Sequence, residues 1–443
     1  MKESLGPRLW RIALYGLLIG MPPIVARLAN GPSTDPPAVR LADNLALLAF
    51  AILVMQFVLS ARFRWIERPF GLDRLFVFHK VMAVAAVCLL LAHPILLAAG
   101  QSGLTLLTSL KQPWPVLVGK AALLLLLATV GLSLFRATLH LEYQRWRRLH
   151  NLLALAVLAA AGIHSWFKGP DLRHSQTMRL LWLALGLVGL IAYLRHLLWP
   201  RIAAARHLCH VTAVKQEAPH IWTLTFAPPQ GAAIPAYQPG QFHFVTLKRG
   251  RGLPAEEHPF SIASSPLESG GLSSTLKEAG DFTRTIGQTR IGDAAILEGP
   301  FGRFSLTCHP NLEHLVFIAA GIGITPLMSM LRYLRDTQSR QPVLLLYANR
   351  SEPDIVFREE LEGMARAGAP GLQLVHVLSR PSPQWAGETG RIDLARLRQH
   401  CATNLHTSSF YICAPPAMIA AVARDLARLG VRRRHIHFEK FAL

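Results

Sequence analysis

Six apolar runs in the first two hundred positions most constrain this chain, because each approaches the roughly 20 residues that a helix needs to cross a hydrocarbon core of roughly 30 Å. They lie at approximately Trp10 to Val25, Leu45 to Leu59, Leu75 to Ala99, Val116 to Phe135, His150 to Phe167 and Met178 to Trp199. In lipid every backbone N–H and C=O must be satisfied within its own segment, so such runs predict six membrane-spanning helices. Composition agrees: 51% of the 443 residues are hydrophobic and 16% charged, too apolar for a wholly soluble protein.

A net charge of +20 on a soluble chain would point to nucleic acid. Here the basic residues sit in alternate short loops. Arg62, Arg64, Arg68 and Arg74 follow the second run, Arg136, Arg145, Arg147 and Arg148 the fourth, and Arg195, Arg201 and Arg206 lie at and beyond the end of the sixth. That bias places these loops and both termini in the cytoplasm, and the surplus charge against anionic lipid headgroups, so no nucleic-acid partner is expected. The other loops carry a thinner load of Arg27, Arg40, Lys111, Lys168 and Arg173. A second reading takes Met1 to Ala26 as a cleaved signal peptide, with a basic start, an apolar middle and a small residue near its end. The five cysteines are too scattered for a zinc site, an iron–sulfur site or a disulfide framework; Cys88, inside an apolar run, reads as a small packing residue.

After Pro200 the texture changes to short alternating runs broken by Pro and Gly, such as His220 to Phe226 and Gln241 to Leu247, as in antiparallel barrels. From about Glu313 solid apolar strands appear, Leu315 to Ala320 and Val343 to Tyr347, the first leading into a glycine-rich turn and a helix-like segment, as in parallel α/β domains. The expected fold is a multi-domain membrane protein: a six-helix bundle over 1–204, an antiparallel β-barrel over 205–308 and a Rossmann-like α/β domain over 309–443.

The third run holds His79 and His93 and the fifth His150 and His164, each pair fourteen positions apart. At about 100° per residue such a pair shares one helix face, at depths about 21 Å apart. Ionisable residues within a membrane default to a functional reading, and imidazole nitrogen is an axial haem ligand. Pairing His79 with His150 near the cytoplasm and His93 with His164 near the exterior gives two stacked b-type haems. The alternatives are a proton or metal pathway, which usually recruits Asp or Glu as well, and, for any one histidine, a hydrogen-bonded packing residue.

His258-Pro259-Phe260-Ser261 follows the barrel-like strands and resembles the Arg/His-x-aromatic-Ser/Thr segment of flavin-dependent reductases. Downstream, Lys277, Gly280, Asp281, Phe282 and Thr283 form a glycine-bearing turn whose backbone N–H groups and hydroxyl suit a pyrophosphate. Gly299-Pro-Phe-Gly302 reads as a tight Gly-Pro turn closing the barrel. Then Gly321, Gly323, Thr325 and Pro326 make a G-x-G-x-x-P turn between an apolar strand and a helix, the setting in which glycines let dinucleotide phosphate approach a helix start. Cys413 ends a strand, where α/β sheets bind ligands, or is simply a buried cysteine before a turn. Arg350 and Ser351 follow the second strand of this domain, where donors to a 2′-phosphate would favour NADPH over NADH, or are a solvated strand end.

On these motifs the whole chain resembles the NADPH oxidase and ferric reductase superfamily, in bacterial form: a ferric-reductase-like membrane domain joined to a ferredoxin–NADP reductase-like dehydrogenase. The resemblance implies that His79, His93, His150 and His164 hold two haems, that the His-Pro-Phe-Ser segment and the turn after it hold FAD, that Gly321, Gly323 and Pro326 hold NAD(P)H, and that Cys413 lies beside the nicotinamide. It implies a multi-pass protein of the bacterial inner (plasma) membrane with cytoplasmic dehydrogenase domains, passing electrons from NAD(P)H through FAD and the haems to an outer acceptor. Oxygen giving superoxide, a ferric chelate, and a periplasmic or membrane redox partner all fit that role. Two departures stand out: Ala414 where the family usually has Gly, and a chain ending in Leu443 where many relatives end in an aromatic that stacks on flavin, with Phe441 as the substitute. From another class, a six-helix channel or transporter with a regulatory nucleotide domain shares the bulk features.

Overall fold

The structure is a computed structural model and describes residues 6–31, 34–206, 208–230, 233–308, 313–368, 370–401 and 404–440. The chain divides into two compact units, Glu3–Trp199 and Pro200–Leu443.

In the first unit the helices are α1 Gly6–Asn30, α2 Pro37–Ser60, α3 Arg64–Phe70, α4 Leu72–Leu97, α5 Thr105–Thr108, α6 Trp114–Leu134, α7 Tyr143–Lys168, α8 Pro170–His174 and α9 Gln176–Arg206. Six of them, α1, α2, α4, α6, α7 and α9, are long and apolar enough to cross a membrane, one for each apolar run. They overshoot those runs because helix continues through their polar and aromatic ends. Proline opens both α2 and α6, in the first turn, where the missing N–H costs no hydrogen bond. Central in the bundle is α2, with Ala42, Ala49, Ala51 and Val54 fully buried. It packs chiefly on α4, and α6 chiefly on α7. Cys88 is exposed on α4 rather than packed in the bundle interior.

The second unit contains two sheets. The first comprises β1 Leu208–Ala218, β2 Ile221–Ala227, β3 Phe242–Lys248, β4 Glu257–Ser261, β5 Leu272–Lys277 and β6 Ala294–Phe301, in the order β4-β3-β6-β1-β2-β5, with every pairing antiparallel. A bridge between Ile262 and Ser274 ties its two ends together, which closes the sheet as a barrel. The expected Gly-Pro turn is in fact strand. Gly299 and Pro300 lie within β6, and a Cβ at Gly299 would fall 2.9 Å from that of His243, so glycine is needed there for the close approach of β3.

The second sheet is parallel throughout: β7 His314–Ala320, β8 Pro342–Asn349, β9 Gly371–Leu378, β10 Glu388–Thr389, β11 Ser408–Cys413 and β12 Ile436–Glu439, in the order β10-β9-β8-β7-β11-β12. Helices α10 Ile324–Asp336, α11 Arg358–Ala367, α12 Leu394–Cys401 and α13 Pro416–Arg428 accompany it. Separate hydrophobic clusters fill its two faces, as expected of solid apolar strands. The strand order reverses between β7 and β11, and in open α/β sheets the ligand crevice lies outside the carboxyl ends at such a switch point.

Candidate functional site

The histidines of α4 and α7 meet in pairs. The rings of His79 and His150 lie opposite one another with centroids 6.4 Å apart and planes tilted by 58°. A metal–nitrogen bond of roughly 2 Å on each side, plus the half-width of each ring, adds up to about that separation. His93 and His164 form the second level, close enough to interact electrostatically. His93 Nδ1 is 2.9 Å from the carbonyl oxygen of Ala42 on α2, and His164 Nδ1 is 2.7 Å from that of Pro115 on α6. A carbonyl can only accept, so each ring carries its proton on Nδ1 and presents a bare Nε2, the form that binds a metal. His150 Nδ1 lies 3.1 Å from Ser133 Oγ, and the Gln56 backbone of α2 interacts with His79.

Among the described residues no group of three or more His, Cys, Asp or Glu is placed to hold a metal ion. Two imidazoles per level match the two axial positions of a haem better than a protein-only metal site. The donor set therefore fits b-type haem at both levels.

In the barrel, His258 on β4 stacks on Phe282, centroids 4.4 Å apart, and its Nε2 lies 2.9 Å from Glu256 Oε2. The His-Pro-Phe-Ser strand and the glycine-bearing turn are thereby brought together. Pro259 and Phe260 are half-buried on β4, and Ser261 is buried opposite Phe242. The turn itself differs from expectation. Thr283 Oγ1 accepts from the N–H groups of both Ala279 and Gly280 at 2.8 Å, so these two donors are satisfied by the chain's own hydroxyl rather than held ready for phosphate. Phe282 is only 3% exposed, and the Arg249 guanidinium lies 5.3 Å from its centroid; it supports His258 from below. Lys277 and Asp281 are exposed, Asp281 within 3.7 Å of Arg284.

The glycine turn sits between β7 and α10 as expected, and Cys413 closes on it. A Cβ at Gly323 would lie 2.1 Å from the Cys413 carbonyl oxygen, so only glycine permits the two strand ends flanking the switch point to touch. Tyr347 Oη donates to the Gly321 carbonyl at 3.0 Å, and Thr325 Oγ1 to that of Ile322 at 3.0 Å, so the Thr325 hydroxyl fastens the turn rather than facing a ligand. Pro326 is buried in the first turn of α10. Cys413 is fully buried, and burial pushes its thiol well above the ordinary range; it stays protonated at neutral pH. Arg350 is exposed at the end of β8, while Ser351 Oγ donates to Asp354 Oδ2 at 2.7 Å in a capping box. Phe441 lies outside the described residues.

Sequence reasoning missed the link between these two motifs. Ser329 Oγ donates to the Ser264 carbonyl at 2.6 Å, and Arg332 Nη1 to that of Ala263 at 2.9 Å. Helix α10, opened by the glycine turn, thus grips the segment that directly follows Ser261. Single serines and arginines of this kind give no local signal.

Residues 45–161 match the family model for ferric reductase like transmembrane components, and residues 317–424 that for oxidoreductase NAD-binding domains. Among curated proteins, the stachydrine N-demethylase reductase subunit Stc4 of Rhizobium meliloti is 32% identical over 51% of this chain and 64% of its own length. Ferredoxin–NADP reductase B of Sorangium cellulosum is 32% identical over 52% of this chain and 96% of its own length. The chain spans between half and two-thirds of the first curated relatives it matches, 64%, 55% and 50% of their lengths. Of solved structures, the FAD/NAD-binding domain of a nitric oxide dioxygenase from Vibrio cholerae shares 23% identity at a TM-score of 0.47, over 53% of this chain and 98% of its own.

Proposed function

The chain belongs to the ferric reductase and NADPH oxidase superfamily, in which a ferric-reductase-like transmembrane component is fused to a reductase of the ferredoxin–NADP reductase type, and we propose the route its electrons take. They enter from cytosolic NAD(P)H, cross by way of FAD and two b-type haems, and leave to oxygen or a ferric chelate at the outer face of a bacterial inner membrane. The observation that carries this reading is the pair of facing imidazoles on α4 and α7, set in a six-span unit of the same chain as the two-sheet reductase unit. In this reading 1–204 is the haem domain, 205–308 the FAD domain and 309–443 the nicotinamide domain.

When bound, the flavin takes up a hydride and the irons single electrons. The chain's own residues hold and exclude. His79, His93, His150 and His164 would hold the haems, one histidine from each helix at each level, and the acceptor would be reduced at the outer surface. His258, Pro259, Phe260 and Ser261 line the flavin, with Phe282 backing His258. Gly321, Gly323 and Pro326 admit the dinucleotide backbone, with the neutral Cys413 thiol beside the nicotinamide. Arg350 favours the 2′-phosphate of NADPH.

The deciding experiment adds NADPH anaerobically to detergent-purified protein carrying haem and FAD. Flavin bleaching together with reduced b-type haem bands is expected; bleaching with haems that stay oxidised refutes the internal route. Superoxide formation in air, or anaerobic reduction of a ferric chelate, then separates the two acceptors. Electron delivery only to an added periplasmic or membrane carrier would replace both.

A further inference from the structure

Helix α6 carries no histidine, yet both histidines of α7 lean on it. We propose that α6 sets both of them, Gly119 by leaving the space that the His164 ring fills, and Ser133 by accepting the proton of His150 Nδ1. The inference rests on the two-haem reading above and adds to it the residues that fix two of the four ligands.

A Cβ on Gly119 would lie 2.5 Å from Nδ1, 2.7 Å from Cε1 and 2.9 Å from Cγ of His164. Three atoms of one ring at such distances mean that the imidazole lies flat over the Gly119 Cα. The Pro115 carbonyl that binds His164 Nδ1 belongs to the preceding turn of the same helix face. The ring is thus held by a carbonyl on one turn and a bare Cα on the next. It cannot retreat from an added methyl without breaking the 2.7 Å bond and swinging Nε2 away from His93. The requirement is local: at Gly131, on the same helix, a Cβ would meet nothing within 4 Å.

At the inner level, proton bookkeeping assigns the roles. Ser133 has one hydroxyl proton, which it donates to the Thr129 carbonyl at 2.7 Å. Its oxygen accepts from Trp146 Nε1 at 3.3 Å. The contact of 3.1 Å to His150 Nδ1 is then an N–H donated by the imidazole, which leaves Nε2 bare toward His79. An acceptor placed behind a ligating imidazole in this way fixes ring orientation and raises ligand basicity. His79 is met from the opposite side by the Gln56 backbone of α2, so α6 sets the α7 ligand of this level.

The test uses the full-length protein loaded with haem, with haem content measured as the pyridine haemochrome and midpoint potentials by spectroscopic redox titration. The unsubstituted chain is expected to hold two haems with two potentials. Gly119→Ala should keep one, with its low-spin spectrum and inner potential unchanged, while Gly131→Ala keeps both. Ser133→Ala should keep both but release the inner haem to a competing apoprotein on the order of 10- to 100-fold more readily, with its potential raised, and Ser133→Thr should restore both properties. Two haems at unchanged potentials in Gly119→Ala, loss of both haems from it, or a Ser133→Ala protein identical to the unsubstituted chain overturns the inference. An unsubstituted chain that takes up no haem overturns the two-haem reading itself, and this inference with it.

Discussion

The two units obey one burial rule in two solvents. In the first, large apolar side chains point outward all along the spans, Leu28 at 79% exposed and Leu180 at 61% among them, whereas beyond Ile202 the exposed large hydrophobics among the described residues are Leu267, Ile291 and Phe438. Lipid supplies the missing layer for the first unit, and its polar groups turn inward. The consequence for the sites is concrete. In the membrane unit, side chains on rigid helices define the site and neighbouring helices orient them, as Ala42 and Pro115 orient His93 and His164. In the reductase unit, close backbone approach defines it, as at Gly323 against Cys413.

If that contrast is right, lesions in one unit spare the other. The largest effect is expected of His79→Leu, which removes a proposed haem ligand: the inner haem should be lost and NADPH-driven reduction at the outer face abolished, while NADPH still bleaches the flavin. Haem content and stopped-flow flavin spectra check both halves, and a flavin that no longer reduces breaks the comparison. The converse is Gly323→Ala. The methyl forces the turn off the Cys413 carbonyl, and displacements of about 1 Å cost on the order of 100-fold in rate. Flavin reduction by NADPH should fall by about that factor with haem spectra intact.

A pH effect sharpens the contrast next, because it belongs to the barrel. His243 is buried in it, Nε2 2.6 Å from Ser274 Oγ, and burial lowers its pKa from 6.5 to about 3. The unfolded chain therefore binds a proton that the folded barrel refuses. The stability due to the neutral ring is complete above about pH 6.5 and is lost as pH falls toward 3, by about tenfold in the folding constant per pH unit. Flavin release on heating should shift to lower temperature across that range, and His243→Gln should flatten the dependence; an equal slope in the variant refutes the assignment. The smallest effect is expected of Arg350→Glu, which should raise the KM for NADPH about tenfold and that for NADH little. Equal changes for both would remove Arg350 from nucleotide choice.

Patterns that recur along the chain were legible without coordinates. The six spans follow from hydropathy, the two histidine faces from a spacing of fourteen, and the parallel sheet with its glycine turn from solid apolar strands followed by G-x-G-x-x-P. The interior of the sites was less legible. Phe282 looked like a cofactor contact and is buried support for His258; Thr283 looked like a phosphate donor and caps its own turn; Gly299 looked like a turn and is strand.

By itself the sequence determined that this chain spans a membrane six times, carries four histidines at two depths and continues into a barrel and a parallel α/β sheet, because periodicity and composition act through neighbours along the chain. Only the tertiary structure decided that the Pro115 carbonyl takes the proton of an imidazole 49 residues away and that Gly119 makes room for the same ring. Those contacts join segments whose separation leaves no local pattern, and their sign depends on distances of a few tenths of an ångström that only packing sets.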